Sequence, residues 1–156
     1  QFKGAKEFDG NSNFTFEPQN NTVTLKGTLR SLAVHASKKI ESNGDLEING
    51  ALYKNVKVVS DVDYDFQDTD NTVLFDTTEA HIVATLPPAK KNHGRVITVK
   101  KICQNQYKLI SSYHLKIKSD GGKIDFSSEI LLKSNYSVRT FHSDGNSWWV
   151  INKSGT

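Results

Sequence analysis

Three aspartates at alternate positions, Asp61, Asp63 and Asp65, have the spacing that opens a calcium loop. An EF-hand continuation requires glycine at the sixth position and glutamate at the twelfth. Phe66 and Thr72 stand there, which excludes that loop. Alternate acids in an extended segment point to one side, so a solvent-facing row is expected and no metal ligand is assigned. The five histidines, His35, His81, His93, His114 and His142, form no H-x-H, HExxH or Cys-His pattern, although one histidine per chain would suffice for a metal on a three-fold axis. Catalysis needs a nucleophile beside a base, or two carboxylates at a cleft. No G-x-S-x-G elbow occurs, and Asp125 and Glu129 cannot be paired from sequence, so the chain is expected not to be an enzyme and to need no cofactor. The lone cysteine, Cys103, follows a strand-like run and reads as a buried thiol.

Trp148 and Trp149 are adjacent, so in a strand they face opposite sides. One of the two is expected in the core; the family motif described below suggests Trp148, which shares a face with Val150. Trp149 either seals a subunit interface or offers a surface on which a sugar can stack. It stands beside Ser143-Asp144-Gly145-Asn146, a turn rich in small polar residues, and beside His142. Hydrogen-bonding groups next to an aromatic face suit a glycan. The candidate ligand-binding residues are therefore His142, Asp144, Asn146 and Trp149, with Tyr113 of the same or an adjacent chain. The other loops available for recognition span residues 87–93, 104–106 and 119–123.

These side chains must be held by strands. No window of about 11 residues places apolar positions at three-and-four spacing between a cap and a stop; the nearest, residues 31–40, alternates instead. Alternating runs recur at Thr22-Val23-Thr24-Leu25, over residues 51–59, at Ile82, Ala84 and Leu86, and over residues 96–102. Leu86, Val96, Thr98, Trp148 and Val150 are the expected core positions. One hairpin is expected over residues 114–126, turning at Asp120-Gly121-Gly122, with Ile124 and Phe126 resuming the alternation. A second joins residues 136–142 to residues 148–152. The first 60 residues are poorer in large apolar side chains and punctuated by Gly10, Gly27, Gly44 and Gly50. Strands so short cannot build an independent core, but three chains wound together could share one. The expected organisation is a shaft-like, trimerising β region over residues 1–60 and a head over residues 61–156.

Bulk composition narrows the partners. The chain has 156 residues, 36% hydrophobic and 24% charged, and a net charge of +3. Basic pairs at Lys38-Lys39, Lys90-Lys91 and Lys100-Lys101 are dispersed among acids, unlike the stripe a nucleic-acid protein concentrates. No apolar run approaches the roughly 20 residues that cross a bilayer. The absence of methionine suggests a fragment or processed product. The triplets at Asn13, Asn20, Asn135 and Asn152 fit the glycosylation pattern and are read as incidental.

From Tyr64 onward, the order of motifs resembles the C-terminal head module of trimeric virus and phage tail fibres. It runs through Tyr64-Asp65-Phe66 and Asp68-Thr69-Asp70, then Thr72-Val73-Leu74-Phe75-Asp76, Ala84-Thr85-Leu86-Pro87-Pro88 and Gly94-Arg95-Val96-Ile97-Thr98-Val99-Lys100-Lys101. It closes with Tyr136-Ser137-Val138 and Asp144-Gly145-Asn146-Ser147-Trp148-Trp149-Val150-Ile151. The resemblance covers residues 64–152 and departs at residues 120–125, where relatives often carry a plainer Asp-Gly turn. It implies an all-β homotrimer in which a short intertwined shaft precedes an antiparallel β-sandwich head. It also implies a non-enzymatic attachment role at a virion fibre tip, toward a host-cell glycan or protein receptor. The rival expectation is a secreted or cell-surface trimeric adhesin, or a carbohydrate-binding module, on the same fold.

Overall fold

The computed structural model describes residues 14–17, 19, 22–25, 36, 40, 43–104 and 112–155. Most of the 31–40 run, with His35 and Lys38-Lys39, lies outside the described residues, as do residues 105 and 106 of one candidate loop. The chain divides into two compact units, Gln1–Glu47 and Ile48–Thr156. In the first, β1 (Phe14–Glu17) pairs antiparallel with β2 (Thr22–Leu25), Phe14 opposite Leu25.

The regular structure among the described residues of the second unit is nearly all strand, as the alternating runs require, with one short 3-10 turn at Ala89–Lys91. Its strands are β3 (Val56–Ser60), β4 (Tyr64–Asp65), β5 (Thr72–Asp76), β6 (Ile82–Leu86), β7 (Val96–Ile102), β8 (Leu115–Ser119), β9 (Glu129–Leu132), β10 (Val138–Ser143) and β11 (Trp148–Ser154). One sheet has the order β11-β10-β7-β5-β3, the other β4-β6-β8-β9. From β3 to β8 each strand lies in the sheet its predecessor does not occupy. A chain that returns to the same sheet after visiting the other runs in the same direction each time. Hence β3 and β5, β5 and β7, β4 and β6, and β6 and β8 are parallel pairs. The expected antiparallel head is corrected to two mixed sheets. Among the described strands of this unit, antiparallel pairing is confined to β8–β9, β7–β10 and β10–β11.

Three further expectations change. Residues 56–60, assigned to the shaft-like region, form an edge strand of the five-stranded sheet, hydrogen-bonded along β5. The partner of Leu115–Ser119 is Glu129–Leu132, with Leu115 opposite Leu132. Ile124 and Phe126 do not resume a strand: Asp125 and Phe126 both take left-handed backbone, φ 46° and 66°. Finally, the core of β7 is Ile97 and Val99, while Val96 and Thr98 are half-buried on the opposite face. That run carries apolar residues on both faces, so its phase cannot be read from hydrophobicity.

The core is built from both sheets. Val73, Phe75, Ile97, Val99, Phe141 and Trp148 come from the larger, and Ile82, Ala84, Leu86, Leu115, Ile117 and Leu132 from the smaller. Val150 packs against it while only partly buried. Lys101 is also buried, its ammonium donating to Asn135 Oδ1, and burial lowers its pKa.

Asp61 Oδ1 accepts the Glu79 and Ala80 amides at 2.9 and 3.1 Å, and Asp63 Oδ1 accepts Val83 N–H at 2.7 Å. Asp61 and Asp63 thus tie the chain to the backbone leading into and along β6; Asp63 and Asp65 are exposed, as a solvent-facing row requires, while Asp61 is half-buried. Asp70 organises the next loop, accepting Gln67 N–H at 2.7 Å and the Tyr64 hydroxyl at 2.8 Å. Among the described residues, no group of three or more His, Cys, Asp or Glu side chains is placed to hold a metal.

Candidate functional site

The β10–β11 hairpin positions the site. Asp144 makes its turn: Oδ1 accepts the amides of Asn146 and Ser147, both at 2.7 Å, and Gly145 takes φ 90°. The turn is seated on the loop before β7. Gly94 N–H donates to Ser143 O at 2.8 Å, Ser143 N–H donates to Arg95 O at 3.1 Å, and Ser143 Oγ donates to Ala89 O at 3.1 Å. From the other side the loop after β8 closes in. A Cβ on Gly122 would lie 2.5 Å from Asn146 O, so only glycine fits there, and its φ of 92° demands the same.

Neighbouring tryptophans have separate tasks. Trp148 is buried and donates Nε1–H to Pro87 O at 3.0 Å. Trp149 is half-buried on the opposite face and donates Nε1–H to Asp144 Oδ2 at 2.7 Å. Phe126 meets Trp149 edge to face, centroids 5.2 Å apart and planes at 82°. The segment carrying Phe126 is itself tied to β11, because Asp125 N–H donates to Trp148 O at 3.1 Å and Asp125 Oδ1 accepts Val150 N–H at 3.0 Å. The indole is therefore fixed at its nitrogen and along one flank.

The Ser147 amide, then the Trp149 indole N–H and the Asn146 amide, lower the Asp144 carboxyl to about 2. It is ionised at neutral pH with both oxygens engaged. Its place is to position Trp149 and the turn, not to offer a free acceptor.

His142 lies directly across the ladder from Trp149. Together with His93, Gly94, Ser143, Asp144 and Ile151 they line an open, mainly apolar concavity of about 430 Å³. Three of the expected ligand-binding residues, His142, Asp144 and Trp149, therefore converge. Asn146 belongs to the turn but does not line the concavity. Tyr113 is not brought to it within the chain. It packs edge-on against His81, centroids 5.2 Å apart, where β6 and β8 begin. The hairpin turn is instead joined to the loops where those strands end.

His93, Ile151 and Phe126 were not among the expected site residues. Ile151 was accessible from the strand period, two positions beyond Trp149. His93 sits at the end of a loop already marked for recognition, but nothing local directs it to Gly145, where a Cβ would lie 3.2 Å from the imidazole. Phe126 gave no signal, since left-handed backbone at a phenylalanine has no sequence signature.

A fixed indole face, aliphatic Ile151 and two imidazoles suit the binding of a ligand that is apolar on one side and hydroxylated at its rim. The chain matches no protein-family model and no curated protein.

Proposed function

We propose that this chain is a non-catalytic attachment module at the tip of a homotrimeric virus or phage fibre, its two sheets forming a β-sandwich head that binds a host-cell surface glycan. The observation that carries the reading is Trp149, pinned by Asp144 and Phe126 with its surroundings open as a concavity. A preorganised aromatic surface loses little conformational entropy on binding. The order of motifs from Tyr64 to Ile151 supports the fibre assignment. Support for self-association comes from Ile48, Leu52, Tyr53, Val56, Val58 and Val62, all exposed within one short stretch that includes an edge strand. Such clustering is uncommon on a monomer. Three copies on one stalk would turn weak sugar contacts into strong attachment.

The test is binding of the intact protein to a glycan array, with Trp149→Ala beside the parent. Binding that falls at least tenfold in a variant with unchanged folding supports the reading. Equal binding by parent and variant removes Trp149 from the site. Light scattering that reports a stable 17.4 kDa monomer defeats the trimer.

A further inference from the structure

Two adjacent residues other than glycine in left-handed backbone, Asp125 and Phe126, are unusual. Each is a conformation the surrounding structure must enforce. The result is a phenylalanine 81% exposed, edge-to-face with Trp149. Packing does not demand this, because the core position of the segment is already filled by buried Ile124. The strained pair presents an aromatic ring to solvent and brings one carboxylate, that of Asp125; a second, Asp144, is held by the indole that the ring meets. Asp125 precedes Phe126 and is bonded to the Val150 amide, and Asp144 is bonded to the indole nitrogen.

Arg95 and Arg139 keep their positive charge, but their N–H groups are taken up by neutral oxygens and not by these carboxylates. Arg95 donates to Asn92 Oδ1 at 2.9 Å and to the carbonyls of Gln67 and Asp70 at 2.5 and 2.9 Å. Arg139, on β10, donates to the carbonyls of Val138, Ser154 and Gly155. Neither presents the free fork that anionic ligands select. Lys123 is exposed on the preceding loop, a hydrated point charge on a flexible stem.

We infer that the Phe126–Trp149 pair binds an uncharged pyranose and discriminates against sialylated or otherwise anionic glycans. This rests on the glycan reading above and adds the class of sugar. The apolar C–H face of the ring packs on the aromatic surface, and the Asp125 and Asp144 carboxylates repel a third carboxylate brought by the ligand. At about 6 Å in a water-like dielectric, each would weaken an anionic ligand roughly threefold, so about tenfold together at low salt. Screening should narrow the gap as salt rises.

The experiment compares N-acetyllactosamine with its terminally sialylated derivative as probes of the intact protein. Stronger binding of the neutral probe, by about tenfold at low salt and less at high salt, supports the inference. Asp125→Asn retains an oxygen for the Val150 amide while removing one charge, and should narrow the difference about threefold. Phe126→Ala should weaken the neutral probe several-fold. Equal or tighter binding of the sialylated probe overturns the discrimination and leaves glycan attachment standing. Unaltered neutral binding by Phe126→Ala overturns the role of the pair. If neither probe binds while other glycans on the array do, the choice of sugar falls alone. If no glycan binds, the attachment reading falls and takes this inference with it.

Discussion

Trp148→Ala tests the assignment of the two tryptophans. Trp148 is fully buried, at 0% exposure, in the core shared by both sheets, and its indole nitrogen is bonded to Pro87 O. A buried tryptophan removes about 200 Å² from water, worth about 5 kcal/mol at about 25 cal/mol per Å². Alanine retains a little of that, and measured truncations of this kind cost about 3–5 kcal/mol. Losing the partner of the Pro87 carbonyl adds about 1 kcal/mol. In a unit of this size, 4 kcal/mol corresponds to a fall in Tm on the order of 20 °C. Trp148→Phe separates the contributions: it keeps most of the apolar surface, loses the N–H, and should cost about 1–2 kcal/mol. Thermal unfolding followed by near-UV circular dichroism, at one fixed protein concentration because assembly shifts Tm, measures both. The reasoning is refuted if Trp148→Ala melts within about 2 °C of the parent while Trp149→Ala falls as far as predicted here.

Two further outcomes follow from ionisable groups. Because burial lowers the Lys101 pKa below 10.5, the unfolded chain binds more protons between the folded value and 10.5, and stability should rise with pH across that window. Lys101→Met should remove this rise and leave neutral-pH stability within about 1 kcal/mol of the parent or above it; urea denaturation at several alkaline pH values checks it, and a rise of equal size in the variant contradicts it. For Asp144 the folded pKa is depressed from 3.8 to about 2, so its contribution is complete above 3.8 and lost as pH falls through about 2. In a Trp148→Phe background the fluorescence of Trp149 should change with a midpoint near 2, and a midpoint near 3.8 would show that the carboxyl is not held by the turn and the indole.

Legibility differed between the two ends of the head. The β10–β11 hairpin was readable because Ser143-Asp144-Gly145-Asn146 has residues suited to a tight turn; Trp148-Trp149-Val150-Ile151 is apolar at every position, so the choice of Trp148 as the core residue came from the motif and not from the strand period. Parallel pairing was not readable. Alternation specifies which face of a strand is buried and carries no information about the direction of its neighbour, so β5, β6 and β7 look alike in either arrangement. The β8 hairpin misled for a different reason. Asp120-Gly121-Gly122 is a turn, but it leads into Lys123 and Ile124, which contact β11, before the chain returns as Glu129–Leu132. At the site, sequence neighbours converged and distant partners did not declare themselves. His142, Asp144 and Trp149 share one hairpin, whereas Phe126 and His93 arrive by tertiary packing.

The alternation of strands between sheets has a kinetic consequence. The first parallel pairs join residues far apart in the chain: Val56 to Thr72, Thr72 to Thr98, and Ile82 to Leu115. None can form until a long loop has been closed, and the closure entropy precedes any stabilising contact. The β10–β11 hairpin needs only its four-residue turn, and a hairpin forms in about 1–10 µs, whereas folds dominated by non-local pairing take milliseconds to seconds. The hairpin that carries the candidate site can therefore form early, while the parallel pairs wait for longer closures, that of β6 with β8 the longest of the three. Until those closures finish, unpaired strands of neighbouring copies are accessible to one another, so co-folding of chains held at high local concentration would compete with aggregation.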